Sequence, residues 1–309
     1  MDEVIDQIKY LLNKEISGDE YPLFPEKGLI LSAKNYHEIN SKTNKSICFI
    51  DGGNAEIIGS NNYSLQKIRV AGVIYENNKR IKIEKKDYYV LITMGDEILV
   101  KTFPEEINFE MKRDDEFLKE GRSIGKISKI GNLVRRMAEI QLAKKMNSDI
   151  IVLDGSLEEK SEKEKLKELF NSKKTIIGLS KTNSIVTNKG RSLSVALDKE
   201  GSWYYTPILE KEYLICFAKL HPKSKYVFKI DLINGDFNTV CYNLSENSKD
   251  PVFIGYPYGL IDVDREARIS NKEIEFLKTQ FMIKLGKDWE KVKQAMTTNN
   301  AHEILDSIS

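Results

Sequence analysis

The chain of 309 residues has little cysteine and as little histidine: Cys48, Cys216 and Cys241, with no Cys-x-x-Cys pair, and three scattered histidines. A zinc site is therefore not expected. An odd number of cysteines, each inside an apolar strand-like stretch (SICFID, YLICFA, NTVCYNL), reads as reduced core thiols of a cytoplasmic protein. No apolar run approaches the ~20 residues of a membrane span. The opening MDEVIDQIKYLL carries acids and no signal-peptide arrangement, so a cytoplasmic location without membrane contact is expected. An excess of one charge is also missing. Lys plus Arg number 48 and Asp plus Glu 47, a formal net charge of +1. That argues against a binder held to nucleic acid by global positive charge, while leaving room for a local basic groove.

What is present is a chain with 40% hydrophobic and 31% charged residues, enough for one large domain or two modest ones. Residues 2–17 predict an amphipathic helix, with Val4, Ile5, Ile8, Leu11, Leu12 and Ile16 on one stripe. That stripe is buried either on its own domain or in a dimer contact. A mixed lead-in follows to residue 45. From Ser46 the pattern predicts strands: Ile47–Ile50 ending in an Asp51-Gly52-Gly53 turn, Ala55–Ile58 after it, Lys67–Tyr75, and further strand material over Arg80–Lys101. A long helix is expected over Gly125–Met146, then the continuous apolar strand DIIVL, a charged helix at 158–171 and a second buried strand, Thr175–Leu179. Residues 193–256 read as mostly β, including SLSVAL, YLICFA, YVFKIDLI and TVCYNL. The end, from about Gly259, reads as helical. The order, three antiparallel strands followed by parallel ones, predicts a mixed α/β sheet with helices on both faces, extra β segments and terminal helices.

Four acids stand where chemistry could use them. Asp51 ends the first strand, Glu139 lies in the long helix, Asp154 ends DIIVL, and Asp264 sits in PYGLIDVDREARIS. Ligands of α/β sheets bind where the carboxyl ends of strands converge. Oxygen ligands without His or Cys suit Mg²⁺ or Mn²⁺, and two such ions can support phosphodiester hydrolysis. The bland reading is that Asp-Gly after a strand is an ordinary turn. Lys181, after the second buried strand, is either a solvated strand-end lysine or a contact to phosphate. Arg135, Arg136 and Lys189-Gly190-Arg191 are candidates for backbone contacts to nucleic acid. Trp203-Tyr204-Tyr205 reads first as packing and second as a stacking platform. GRSIGK (121–126) fails as a phosphate loop: its glycines are one residue short in spacing and Ile127 replaces the hydroxyl residue.

Taken in order, FIDGGNAEI, RRMAEIQLA, IVLDGSL, IIGLSKTN, YVFKIDL and GYPYGLIDVDREARIS resemble the NurA family of DNA-end nucleases, from about Ser46 to Ile269. The resemblance implies an RNase H-like core over residues 46–309, with a mainly β insertion at about 190–250 and residues 1–45 as helix and lead-in. It implies a Mn²⁺- or Mg²⁺-dependent deoxyribonuclease, a 5′–3′ exonuclease and single-strand endonuclease. It also implies a homodimer partnered by a HerA-like hexameric ATPase in DNA-end resection. By position Asp51, Glu139, Asp154 and Asp264 match the family's metal-binding acids, and Lys181 its lysine. Gly259 stands where a second proline is usual, a loop change expected to be tolerable. Asp262 competes with Asp264 for the last ligand position, since the two cannot share a helix face. His302 is either a late site residue or part of a capped terminal helix. Two rival readings stand beside this one: a sugar-kinase or actin-like phosphotransferase using Asp51-Gly52-Gly53-Asn54 as a phosphate hairpin, and a nuclease-like scaffold that binds DNA or a motor without cutting.

Overall fold

The structure is a computed structural model and describes residues 1–13, 18–23, 29–121, 123–158, 161–182, 184–208, 213–294 and 296; His302 and residues 14–17 of the expected first helix lie outside these. In chain order the elements are α1 (Asp2–Asn13), β1 (Tyr36–Glu38), β2 (Ile47–Gly59), β3 (Tyr63–Glu76), β4 (Lys79–Met94), β5 (Ile98–Phe103) and β6 (Phe109–Met111). A small hairpin, β7 (Lys119–Glu120) and β8 (Ser123–Ile124), leads to α2 (Ile130–Lys145), β9 (Ile150–Asp154), α3 (Lys167–Phe170) and β10 (Thr175–Ser180). Then come α4 (Leu193–Leu197), β11 (Trp203–Tyr205), β12 (Leu214–Lys219), β13 (Phe228–Ile233), α5 (Phe237–Glu246), α6 (Tyr258–Ala267) and α7 (Asn271–Leu285).

Eleven strands form one mixed sheet in the order β1-β11-β12-β13-β10-β9-β2-β3-β4-β5-β6. Central β9 runs parallel to both β2 and β10, and every other pairing in this sheet is antiparallel. A strand paired on both edges and covered on both faces must be apolar throughout, which is why DIIVL has no alternation. Its residues divide between two cores. Ile151 and Leu153, with Cys48 and Ile50 of β2, pack with Leu133, Val134 and Ile140 of α2. Ile150 and Val152, with Ile47 and Phe49, pack with Val240 and Leu244 of α5 and Leu260 and Val263 of α6. The expected mixed α/β sheet, an antiparallel meander joined to parallel strands, is therefore the observed one. Among the described residues no helix is long and apolar enough to cross a membrane.

Several local expectations are corrected. No turn interrupts β2: it runs unbroken through Asp51-Gly52-Gly53, paired with Ala71, Val70 and Arg69 of β3. Continued pairing outweighs the local turn preference of Asp-Gly, and the glycines serve close packing instead. SLSVAL is helix α4 and TVCYNL lies within helix α5. In α5, Asp236 caps the backbone N–H of Thr239 at 2.8 Å, and Phe237, Val240, Cys241 and Leu244 face the core with helical spacing. The helix expected at 158–171 shrinks to a 3₁₀ turn at Glu162–Glu164 and the single-turn α3, interrupted where Lys165 adopts a φ of 55°. Trp203 and Tyr205 are buried, with Tyr36 edge-on to their rings at 5.1 and 4.8 Å, so the aromatic triplet is packing. All three cysteines are buried free thiols.

Gly259 lies in the first turn of α6, in a helix rather than a loop. A Cβ there would fall 2.1 Å from the Phe49 ring. Gly259→Ala is therefore expected to cost about 1–3 kcal/mol by overpacking. Phe49→Leu, itself destabilising, should lower that cost when combined with it, as a double-mutant cycle by urea denaturation would measure.

Candidate active site

Parallel pairing of Ile47–Ile50 with Ile150–Leu153 brings the next residues, Asp51 and Asp154, side by side where β2 and β9 part. Strand alternation turns both away from the α2 core toward α6. A cleft of about 210 Å³ opens there, lined by Asp51 to Asn54 of β2, Asp264 and Ala267 of α6, and Arg268 and Ile269 after it. Gly53 makes the approach of α6 feasible, since a Cβ there would lie 2.5 Å from the Ala267 carbonyl oxygen. Gly52 does the same on the opposite face, where a Cβ would meet Arg135 and Glu139 of α2, each at 2.8 Å.

Through that opening Glu139 joins the aspartates. It is only 2% exposed, and burial pushes its carboxyl above the usual range, opposed by Arg135 and Arg136 and reinforced by Asp154. Arg135 lies 3.5 Å from one Glu139 oxygen and 3.9 Å from Asp51, and donates to the Gly52 carbonyl at 2.7 Å. Arg136 donates to the other Glu139 oxygen at 3.2 Å and to the Ser156 carbonyl at 2.8 Å. Both arginines, candidates for DNA backbone contacts, are thus committed within the protein. Arg191 is likewise held by Glu20. Asp51, 8% exposed, is pushed up to about 7 by burial first and then by the charges of Glu139 and Asp154. These three carboxylates come from a strand, a helix and a second strand, and each feels at least one of the others.

Lys181 donates to Asp154 at 2.8 Å. Burial opposes its charge, but hydrogen bonds to Asp154 and the Tyr256 hydroxyl more than compensate, so its ammonium is held above its ordinary value. Tyr256 has its own hydroxyl raised by burial against the pull of Lys181, with Asp154 and Asp264 as nearby negative charges. Tyr256 stands inside the GYPYGLIDVDREARIS motif, of which only the acids were candidate site residues. Asp264 lines the cleft and pairs with Arg268 at 2.7 Å. Asp262 points elsewhere: it is buried, accepts from the Tyr75 hydroxyl at 2.8 Å and from Arg80 at 3.1 Å. Of the two competing acids, Asp264 is the one beside Asp51.

Asp231, inside YVFKIDL, was also missed as an individual residue. It is fully buried on β13 and accepts from the Ser156 hydroxyl and the Leu157 N–H, both at 2.9 Å, and from Lys229 at 2.6 Å. Its partner across the sheet is Gly178, where a Cβ would lie 2.6 Å from the Gly155 carbonyl oxygen. The pair seats the turn that follows Asp154, with charge from one residue and space from the other.

The donor set of Asp51, Glu139, Asp154 and Asp264 is all oxygen, the chemistry that hard divalent cations take. One Glu139 oxygen is buried without a hydrogen bond, and the raised carboxyls are those a cation would relieve. The residues therefore fit such an ion. Among the described residues, no three acidic, His or Cys side chains are gathered to hold one as they stand; Lys181 and Arg136 each engage an oxygen that a shared ion would claim.

With this geometry in place the fold can be compared with known ones. No family model matches the chain, and no curated protein matches it by sequence. The fold is that of a NurA nuclease. The crystal structure of the NurA nuclease from Sulfolobus solfataricus superposes with a TM-score of 0.57 at 14% identity, covering 93% of this chain and 94% of that one. Endonuclease V from Ciona intestinalis, bound to inosine-containing DNA, matches at a TM-score of 0.41 and 12% identity over 76% of this chain and 87% of that one. Endonuclease V from Streptomyces avermitilis gives 0.40 and 11% over 72% and 79%.

Two outcomes follow. A carboxyl raised to about 7 in the folded chain, against about 4 unfolded, binds protons more tightly when folded, so its contribution to stability falls as pH rises from about 4 to 7. In metal-free buffer Asp51→Asn should melt higher than the parent at pH 8, by about 1–4 kcal/mol, with the gap closing toward pH 4. Asp231→Ala, which leaves Lys229 and the Leu157 N–H without their buried partner, should cost about 3–5 kcal/mol by chemical denaturation.

Proposed function

We propose that this chain is a divalent-metal-dependent deoxyribonuclease that hydrolyses phosphodiester bonds at DNA ends and in single strands. The observation that carries the reading is the group of three electrostatically coupled carboxylates, Asp51, Glu139 and Asp154, gathered where β2 and β9 part in a NurA-type fold. Asp51, Glu139, Asp154 and Asp264 would hold Mn²⁺ or Mg²⁺. When bound, such ions activate a water and stabilise the leaving oxygen. Lys181 holds its positive charge beside Asp154 and contacts a non-bridging phosphate oxygen, offsetting charge that builds in the transition state. Tyr256 orients the Lys181 ammonium through its hydroxyl. Arg135 and Arg136 oppose the rise that burial imposes on the Glu139 carboxyl and hold it in place as a ligand.

The phosphotransferase reading loses its support, because Asp51-Gly52-Gly53-Asn54 is the interior of a strand and not a hairpin. Assembly as a homodimer served by a HerA-like hexameric ATPase, in 5′–3′ end resection, completes the proposal. Its support is α1, where Val4, Ile5, Ile8 and Tyr10 are exposed rather than buried on their own domain; such a stripe calls for a partner.

End-labelled single- and double-stranded DNA, incubated with Mn²⁺, Mg²⁺ or EDTA, tests the reading. Cleavage should require metal. Asp51→Asn or Asp154→Asn should lower it by more than about 1,000-fold, and Lys181→Ala by about 10- to 100-fold. Undiminished cleavage by either aspartate variant rejects the site. Light scattering with the cognate ATPase tests assembly: a monomer that gains neither partner nor stimulation rejects that part.

A further inference from the structure

We propose that the groove beside Lys181, formed by the connection between β12 and β13 and the loop before α6, holds single-stranded DNA flanking the scissile phosphate. The inference rests on the nuclease reading and adds to it where the substrate strand lies. Register sets the location. Lys229 pairs with Ser180, so the segment preceding β13 emerges at the sheet edge that carries Lys181 and Asp154. The groove, about 380 Å³, is lined there by Lys223, Lys225, Tyr226, Phe253 and Tyr256 among others, with no acid in its walls. Tyr256 belongs to both places, since its ring centre lies 5.7 Å from the Lys181 ammonium. The groove is therefore continuous with the proposed reaction centre.

Its chemistry suits unstacked bases. Tyr226 and Phe253 are 51% and 41% exposed, large aromatic surface that a folded chain would otherwise bury. Tyr226 is not loose: its ring stands edge-on to Tyr256 at 5.7 Å and tilts against Phe228 at 6.2 Å. Asp250 fixes the turn carrying Phe253 by accepting from the N–H groups of Val252 and Phe253 at 2.9 and 3.2 Å. A held ring loses little entropy when a base stacks on it. Nearby lysines are engaged internally, Lys181 with Asp154, Lys219 with Asp198 and Lys229 with Asp231. Lys223 and Lys225, by contrast, have no ion-pair partner among the described residues, which leaves them for phosphates. Aromatic faces interleaved with cations recognise single strands. Two ammonium groups are too few to hold a duplex, whose bases offer no free faces. A protein segment could also fill an apolar groove, and the experiment separates that case.

Binding is measured apart from cleavage, on the full-length Asp51→Asn protein, by fluorescence anisotropy with labelled oligothymidine and with a blunt hairpin duplex. Tyr226→Ala and Phe253→Ala should each weaken single-strand binding roughly 5- to 100-fold, with Tyr226→Phe retaining it and duplex binding unmoved. Lys223→Gln with Lys225→Gln should reduce the slope of log affinity against log salt by about 1.4. Circular dichroism melts matching the parent's verify folding. Single-strand affinity and salt slope unchanged in all these variants, or no single-strand binding by the parent, overturns the proposal. So does a groove whose substitution abolishes capture of a protein partner and leaves oligothymidine affinity intact. Residual cleavage by Asp51→Asn would instead count against the active-site reading, and the anisotropy result would still decide the groove.

Discussion

Burial of carboxylates close to one another is the constraint around which this site is arranged. Asp51 and Glu139 come from two elements into surroundings that disfavour their charge, with Asp154 of a third beside them. Carboxylates in such a place either take up protons or acquire counter-charges. The chain supplies counter-charges from both sides of the sheet, Arg135 and Arg136 from α2 and Lys181 from the end of β10. The cations are matched to their tasks. The planar guanidiniums reach buried Glu139 and also satisfy backbone carbonyls at Gly52 and Ser156, which a lysine's compact ammonium could not do in the same geometry. The single lysine, paired with Asp154, keeps its side chain 42% exposed.

That arrangement imposes close packing, and the glycines answer it. Gly52 admits α2, Gly53 admits α6, and Gly178 admits the turn after Asp154. Each lies on a strand, where glycine is otherwise unfavourable. Asp231 and Arg136 then hold that turn from opposite directions, one through the Ser156 hydroxyl and the other through its carbonyl. The position of Asp154 is thus tied to that of Glu139 through Arg136, although the two acids sit on different elements.

How far the sequence discloses this differs by level. Central β9 and β10 were legible because full burial leaves an unbroken apolar run that few other settings produce. The convergence of Asp51 and Asp154 was legible from topology, since each follows an apolar run in α/β order and β2 and β9 pair up to the residues before them. TVCYNL was misread because a short apolar run does not distinguish a buried strand from one face of a helix; its cap, Asp236, was the available signal. The turn at Asp51-Gly52-Gly53 was misread because local preference favours turning, and only the partner strand β3, with its long antiparallel register, overrides it. Asp231, Tyr256 and the exposure of α1 were illegible for a different reason. Their meaning lies in what another element brings against them, and nothing in their own neighbourhood of sequence encodes it.

The near-neutral total charge of the chain takes its meaning from this distribution. Many cations near the candidate site are spent on the protein's own acids, so the molecule gains a stable buried cluster at the cost of outward field. Long-range attraction for a polyanion is then weak, and retention of a strand has to come from contact: stacking on rings already held in place, and a few ammonium groups without internal partners. Such a surface favours strands whose bases are already free, because a duplex must be melted before it can use them. On the proposed reading, a chain of this kind would gain from another agent that opens and delivers its substrate. In that proposal the exposed Val4, Ile5 and Ile8 of α1 would recruit such help, and they are not among the residues lining the candidate cleft.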